Sequence, residues 1–437
     1  MSCTKKYPIN TTLDTTAPII TLAGANPQTI ELGDGYTELG ASTDDSSTVT
    51  IDDSEFVDAV GTYTIYYDAN DGFNDAVQLT RTVYVVDLAS HFVTTWKTDN
   101  PGTSGVTSIT IPTRGTGYNY DVDWDNDGLF DEFGITGNIT HDFAVAGIYT
   151  IRVQGDFPTI YFNNVDDKEK ILLIEQWGDI QWESMERAFY GCSNFDVVAI
   201  DAPNLSNATN LQNMFLDCLV LKGNSTFNNW NTGSIQNFNG MFFGASLFNE
   251  AIGDWDMSMA IQLFGMFSNA SAFNQDISGW IVSNVTNMSV LFANATSFNQ
   301  DIGSWDVSNV TNMSSMFNGA SLSTANYDAL LQGWSSQTLQ SNIIFDGGNS
   351  TYCLSEIERQ NVINNFGWQI TDGGINCAVD PATAFVTTWG VGSNDIITIP
   401  TRTDLVYNYT VDWGDGTVEN FIGLHFVTYL HCRYLNH

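Results

Sequence analysis

Two periodicities divide the chain. Up to about residue 155, apolar and polar residues alternate over short runs, as in Tyr63, Ile65 and Tyr67 within the segment from Gly61 to Tyr67, and again from Arg81 to Asp87. A period of two places alternate side chains on one face of a half-buried strand. Short strands separated by Asp, Asn and Gly turns predict β-sandwich material. Further on, the recurrence is much longer. Trp230, Trp255, Trp280 and Trp305 follow one another at intervals of 25, and Phe189, Phe215, Phe242, Phe267, Phe292 and Phe317 at 26, 27, 25, 25 and 25.

The cleanest of these repeats runs from Phe298 to Ser321. Within it Val310, Met313, Phe317 and Ala320 step by three and four, which predicts a short helix, and Trp305, Asp306 and Val307 alternate, which predicts a short strand. A unit that small cannot bury a Trp, a Phe, a Met and an Ala alone, so neighbouring units must stack and share an interior. Three residues after each Phe of the series stand Cys192, Cys218, Ala245, Ala270, Ala295 and Ala320, a small residue in every unit. Two readings of Cys192 and Cys218 stand: small buried ladder residues, or a disulfide between rungs.

A second pattern is a duplication. Phe92 to Trp96 recurs as Phe385 to Trp389, Ile109 to Arg114 as Ile397 to Arg402, and Tyr118 to Trp124 as Tyr407 to Trp413. The later copy departs from the pattern after about Asn420 and is expected to be a truncated or frame-altered module. The expected organisation is therefore multidomain: a linker over 1–16, β-sandwiches over 17–87 and 88–158, an α/β repeat solenoid over 159–335 with a cap over 336–377, and a linker with a partial C-terminal β-sandwich over 378–437.

Charge narrows the partners. Fifty Asp and Glu face 13 Lys and Arg, for a net charge of −37. Nucleic acid and anionic membrane surfaces reward clustered Lys and Arg, so neither is an expected partner. No apolar run approaches the roughly 18 residues of a membrane helix. His91 and His141 are the only histidines before residue 424, which leaves little for imidazole catalysis or a histidine metal site. No nucleophile elbow, Walker loop, zincin helix or Cys-x-x-Cys pair is present. A non-enzymatic protein is expected.

Three resemblances sharpen these readings. Ala17-Pro18, Gly33, Tyr36, Gly40-Ala41, Gly61-x-Tyr63 and Val85-x-Asp87 resemble the bacterial Ig-like domains that serve as spacers in secreted proteins. His141-x-Phe143, the Ala146 to Ile151 run and the Trp413-Gly414-Asp415-Gly416 turn resemble PKD-type extracellular sandwiches. The repeats resemble BspA-like leucine-rich-repeat surface proteins of bacteria, in the branch that carries Phe-Asn-x-Asp-Ile-x-x-Trp-Asp-Val. That likeness covers about 160–377, including the closing segment with Tyr327 to Trp334, Cys353 and Cys377. It implies a cell-surface or secreted, adhesive protein without catalytic residues. It also implies that Cys353 and Cys377 bracket the cap and are bonded, as an oxidising compartment allows.

Candidate chemistry is sparse. Asp123, Asp125, Asp127 and Asp131 place carboxylates around a turn at Gly128, the oxygen-rich arrangement that a hard cation such as calcium requires. Position 134 is Gly, which excludes an EF-hand, and an acidic surface turn is the competing reading. The tryptophan series would stack on sugars if exposed, but core is the expected role. Asn249, Asn274 and Asn299 are expected to form a side-chain ladder. Cys3, after a small Ser2 and before a polar linker, has two readings, a chance residue or the lipidated cysteine of a bacterial lipoprotein, the preceding signal having been lost.

The expected function is adhesion or ligand binding by the solenoid at the cell surface or outside the cell, with an outer-membrane lipoprotein as one form. The alternative is a polysaccharide-binding or accessory module of a degradative system. The partner is an unidentified extracellular protein or glycan, membrane contact would come only through a lipid at Cys3, and calcium is the sole candidate cofactor.

Overall fold

The structure, a computed structural model, describes residues 15–377 and the backbone of 407–412 and 418–423. It divides into two compact units between Ala208 and Thr209. Strands and turns dominate and helices are few.

The first unit begins with two small sheets. Strand β1 (Ile20–Leu22) pairs antiparallel with β3 (Ala41–Thr43). Strands β2 (Gln28–Glu31), β4 (Val49–Asp52), β5 (Gly61–Ala69) and β6 (Leu79–Val86) form a four-stranded sheet in the order β2-β6-β5-β4, with only β2 and β6 parallel. Ile20 of β1 and Ile65, Tyr67 and Val83 of the larger sheet share one core, an Ig-like sandwich. The alternation expected for β5 is present, since Ile65, Tyr67 and Ala69 are buried and Tyr63 packs beside them. Arg81 is wholly buried here and donates to the Tyr67 hydroxyl at 3.0 Å and to the Ala23 carbonyl at 2.6 Å. A buried guanidinium is tolerated because its donors are used.

The chain then builds β7 (Phe92–Lys97), β8 (Ser108–Ile111), β9 (Asn119–Asp123), β10 (Glu132–Ile135), β11 (Ile139–Asp142) and β12 (Ile148–Asp156). Strands β8 and β11 pair antiparallel. The others join β13 (Ile171–Gln176) and β14 (Asp196–Val197) in one sheet of order β10-β9-β12-β7-β13-β14. The expected domain boundary at 158/159 thus lies inside a continuous sheet. Strand β13 pairs antiparallel with β7, and Phe92 of β7 packs against Phe157, Trp177 and Trp182, at ring-centroid distances of 6.3, 5.9 and 5.1 Å. Phe92 to Trp96 are buried at every position because β7 is an interior strand. A satisfied ion pair stands beside it. Asp167 and Lys170 are both buried with Nζ and Oδ1 3.9 Å apart, and Lys170 also donates to the carbonyls of Gly105 and Ser108.

The second unit is a stack of repeats. Asn210, Asn237, Gln262, Asn287 and Asn312 are linked in a row by single parallel bridges. Between rungs the N–H groups of Phe238, Gly240, Phe242 and Gly244 donate to the carbonyls of Gln262, Phe264, Met266 and Ser268, and the pattern recurs on the next rung from Leu263 to Asn269. The alternate N–H groups of Met241, Phe243 and Ala245 turn back to residues three earlier, Phe238, Gly240 and Phe242.

This alternation corrects the local prediction. The stretch read as a short helix is a chain of turns, and the stretch from Trp305 to Val307 is not a strand. The reason lies in backbone handedness. Ser315 and Gly319 have φ of 56° and 74°, as do their counterparts Gly240 and Gly244 at 60° and 74°, and a left-handed residue every fourth position cannot sit in an α-helix. The one-sided burial holds nonetheless: Val310, Met313, Phe317 and Ala320 all point into the interior.

The stack closes with helix α1 (Thr324–Ser335), strand β15 (Ile344–Asp346), helix α2 (Glu356–Phe366) and strand β16 (Gln369–Thr371), β15 and β16 being parallel. Helix α1 starts on Ser323, whose hydroxyl accepts from the Asn326 N–H, and α2 stops at Gly367 with φ 71°. Of the second copy of the duplicated module, strands β17 (Tyr407–Asp412) and β18 (Val418–Gly423) pair antiparallel. The rest of that copy lies outside the described residues.

Candidate functional site

The acidic loop joins β9 to β10. Asp123, at the end of β9, is fully buried; its Oδ1 accepts from the Asn126 N–H at 2.7 Å and its Oδ2 from the Gly128 N–H at 2.8 Å. Burial pushes its carboxyl above the usual range, against the pull of those two N–H groups. Asp131 accepts from the Trp124 N–H at 2.8 Å. One oxygen each of Asp123, Asp125 and Asp131 lie within 4.8 Å of one another, and Asp127 is not among them. The Asp127 carboxylate accepts instead from the Leu129 N–H at 2.8 Å. The expected set of four is therefore three convergent carboxylates and one turn residue. Three carboxylates form the all-oxygen donor set of a hard cation, and a lone pair remains on each Asp123 oxygen.

Gly128 explains where the loop rests. Its φ is 90°, and a side chain there would meet Leu88 at 3.0 Å and Val86 at 3.3 Å, at the end of the first sandwich. The carboxylates therefore stand at the joint between the first sandwich and the strands that follow. Nearby, the Trp124 and His141 rings stack at 4.5 Å.

The tryptophans are interior. Trp230, Trp255, Trp280 and Trp305 are at most 3 % exposed, and successive rings lie 6.1, 6.5 and 6.2 Å apart. The indole N–H of Trp255, Trp280 and Trp305 donates to the carbonyls of Phe227, Ile252 and Ile277. They offer no platform for sugars.

The Asn ladder forms as expected. The side-chain oxygen of Asn249 accepts from the Asn274 N–H, that of Asn274 from the Asn299 N–H, both at 2.8 Å, and that of Asn299 from the Ser323 N–H at 2.7 Å. Each exposed amide thereby closes the turn of the next rung.

Cys353 and Cys377 are bonded. Three consecutive N–H groups, of Cys353, Leu354 and Ser355, converge on the buried carboxylate of Asp328 and fix the approach to α2. Cys192 and Cys218 are buried thiols, each at the small-residue position of its rung. Cys3 lies outside the described residues.

Two features had no signal in the sequence motifs. One is a groove of about 610 Å³ lined by Gln154, Asp156, Asp179, Gln181, Glu183 and Asn207, assembled from β12 and the first turns of the repeats. The other is a set of exposed apolar residues on one rung, Met259, Ile261 and Phe264, which a column-by-column comparison of the repeats would have exposed. Among the described residues, no helix is long and apolar enough to cross a membrane.

Comparison with known families adds the biological setting. Residues 20–85 match the family described as bacterial surface protein, Ig-like domain. Residues 159–224 and 219–330 match the family described as Mycoplasma protein of unknown function, DUF285. No curated protein and no solved structure matches the chain. The sandwich at one end and the repeats in the middle are thus each similar to a bacterial protein family, and the first of these is a family of the cell surface.

Proposed function

We propose that the chain is a non-enzymatic bacterial surface or secreted protein in which a leucine-rich-repeat-like solenoid binds an extracellular ligand, spaced by Ig-like and PKD-like sandwiches. One observation carries this reading. The repeated Trp, Phe, Met and Ala positions are consumed by the interior, so the outside of each rung is free to vary and is lined mainly with Asn, Ser, Thr and Asp. An array of weak polar contacts repeated along a stack suits multivalent capture rather than turnover.

The three carboxylates at Asp123, Asp125 and Asp131 would hold calcium at the sandwich joint. Millimolar extracellular calcium is sufficient for so small a donor set. Its role would be to stiffen the joint, since the loop already rests on Val86 and Leu88.

The test uses the whole purified chain on immobilised extracellular-matrix proteins and on a glycan array, with and without calcium. Saturable binding to a protein is the expected outcome. Retention on insoluble polysaccharide without protein binding would favour the accessory-module alternative. Binding to neither, or hydrolysis of any glycan offered, would end the adhesion reading.

A further inference from the structure

At three columns of the repeats, polar residues recur on successive rungs with one interruption. Where the rung of Trp230 carries Ser234, Gln236 and Asn239, and the rung of Trp280 carries the exposed Asn284, the half-buried Thr286 and the buried Ser289, the rung of Trp255 carries Met259, Ile261 and Phe264. These three are 46 %, 39 % and 42 % exposed, whereas Ala260, Leu263 and Met266 beside them are wholly buried. The inward set therefore completes the core without them. On the following rung Ile281, 60 % exposed, replaces the Asp found at 256 and 306.

The backbone ladder does not require the substitution. Ile261 and Thr286 make the same backbone bonds in the ladder, the Ile261 N–H donating to Gln236 and the Thr286 N–H to Ile261. Phe264 likewise uses its backbone, its N–H donating to the Asn239 side chain at 2.8 Å. Polar residues fill these positions on either side without loss of the ladder. Several large apolar side chains grouped on a polar surface mark a contact for a partner.

The charge along these rungs states what the partner must bring. Asp254 and Asp256 stand on the same rung, and Asp276 and Asp306 on the next two. From Gly223 to Glu358 there is no Lys, Arg or His. We infer that the rung of Trp255 docks a protein segment in which an apolar side chain is flanked by Lys or Arg. The apolar residues would fill the contact centre and the carboxylates its rim, an arrangement that gives affinity from burial and orientation from charge. This inference rests on the ligand-binding reading and names the chemistry of one ligand for it.

The test compares the full chain with Met259→Asn/Ile261→Thr/Phe264→Ser, which copies the residues of the next rung, keeps the net charge and is expected to fold. Three fluorescent peptides serve as probes: an amphipathic Leu/Lys peptide, its Leu/Glu counterpart and a Ser/Lys counterpart. Micromolar binding of Leu/Lys alone, weakened at least tenfold in the triple variant, is expected. Equal binding of Leu/Lys to both proteins, or binding of Leu/Glu, overturns the inference. Concentration-dependent dimerisation of the parent, lost in the variant and blocking the peptide, would assign the patch to a second copy and also overturn it. Matrix-protein and glycan binding is measured on both proteins alongside. Binding retained by the variant with no Leu/Lys binding by the parent sinks only this inference, while its absence from both sinks the broader reading.

Discussion

The indoles of Trp280 and Trp305 lie 6.2 Å apart with their planes 5° from parallel, and each donates to a carbonyl 28 residues earlier. A side chain held by ring packing on both sides and by a hydrogen bond at its edge has no room to relax. Trp280→Ala is expected to cost about 3–5 kcal/mol through the cavity it leaves. Urea denaturation followed by circular dichroism measures this, and Trp280→Phe should cost less because it keeps most of the apolar volume.

The Asn ladder predicts a smaller and different effect. Asn274→Ala removes the acceptor of the Asn299 N–H on an exposed turn. Water replaces the partner, so the loss should be about 1 kcal/mol. Asn274→Asp keeps the acceptor and should recover most of it, read by the same denaturation midpoint.

Val290 occupies the left-handed position that Gly240 and Gly265 fill on other rungs, with φ 60°. A β-branched residue is strained there, and Val290→Gly should stabilise the stack by about 1 kcal/mol. A fall in melting temperature would contradict the handedness assigned to this turn.

The bond between Cys353 and Cys377 closes a loop of 24 residues. Replacing both with Ser should cost about 3 kcal/mol. Hydrogen exchange should show the loss concentrated in α2 and β16, with the ladder from Asn237 to Asn312 protected as before.

His91 gives the first unit a pH dependence. It is buried against the Phe130 ring, and burial first, then the nearby Arg152 charge, push its imidazole down to about 4. A depressed folded-state value means that the stability it contributes is full above about 6.5, the unfolded value. That stability should fall as pH drops from there through 4, by roughly 3 kcal/mol. His91→Phe should flatten this part of the profile in pH-dependent denaturation.

Much of the second unit was legible because a stack imposes one requirement per column. The spacing of tryptophans, phenylalanines and small residues identified the interior, and Asn249, Asn274 and Asn299 identified the ladder. The local backbone was not legible by spacing. Steps of three and four arise equally from a helix and from successive turns with left-handed residues, and the distinguishing signal was Gly or Asn at 240, 244, 265, 269 and 294. Val290 and Ser315 obscure it. At the acidic loop, alternation suggested four ligands, but Asp127 spends its oxygen on the turn itself. The pairing of β7 with β13 had no signature, since both strands carry ordinary apolar runs.

That pairing decides how the molecule can be dissected. Cutting the chain at 158/159 would strip β13 of the partner that saturates its backbone and would bare Trp177 and Trp182 where Phe92 now covers them. A fragment trimmed there would carry a raw, adhesive flank of its own making, and any stickiness it displayed would be an artefact of surgery. Fragments that begin before Phe92 keep the flank sealed, so they are the smallest pieces in which genuine ligand capture can be told from self-association.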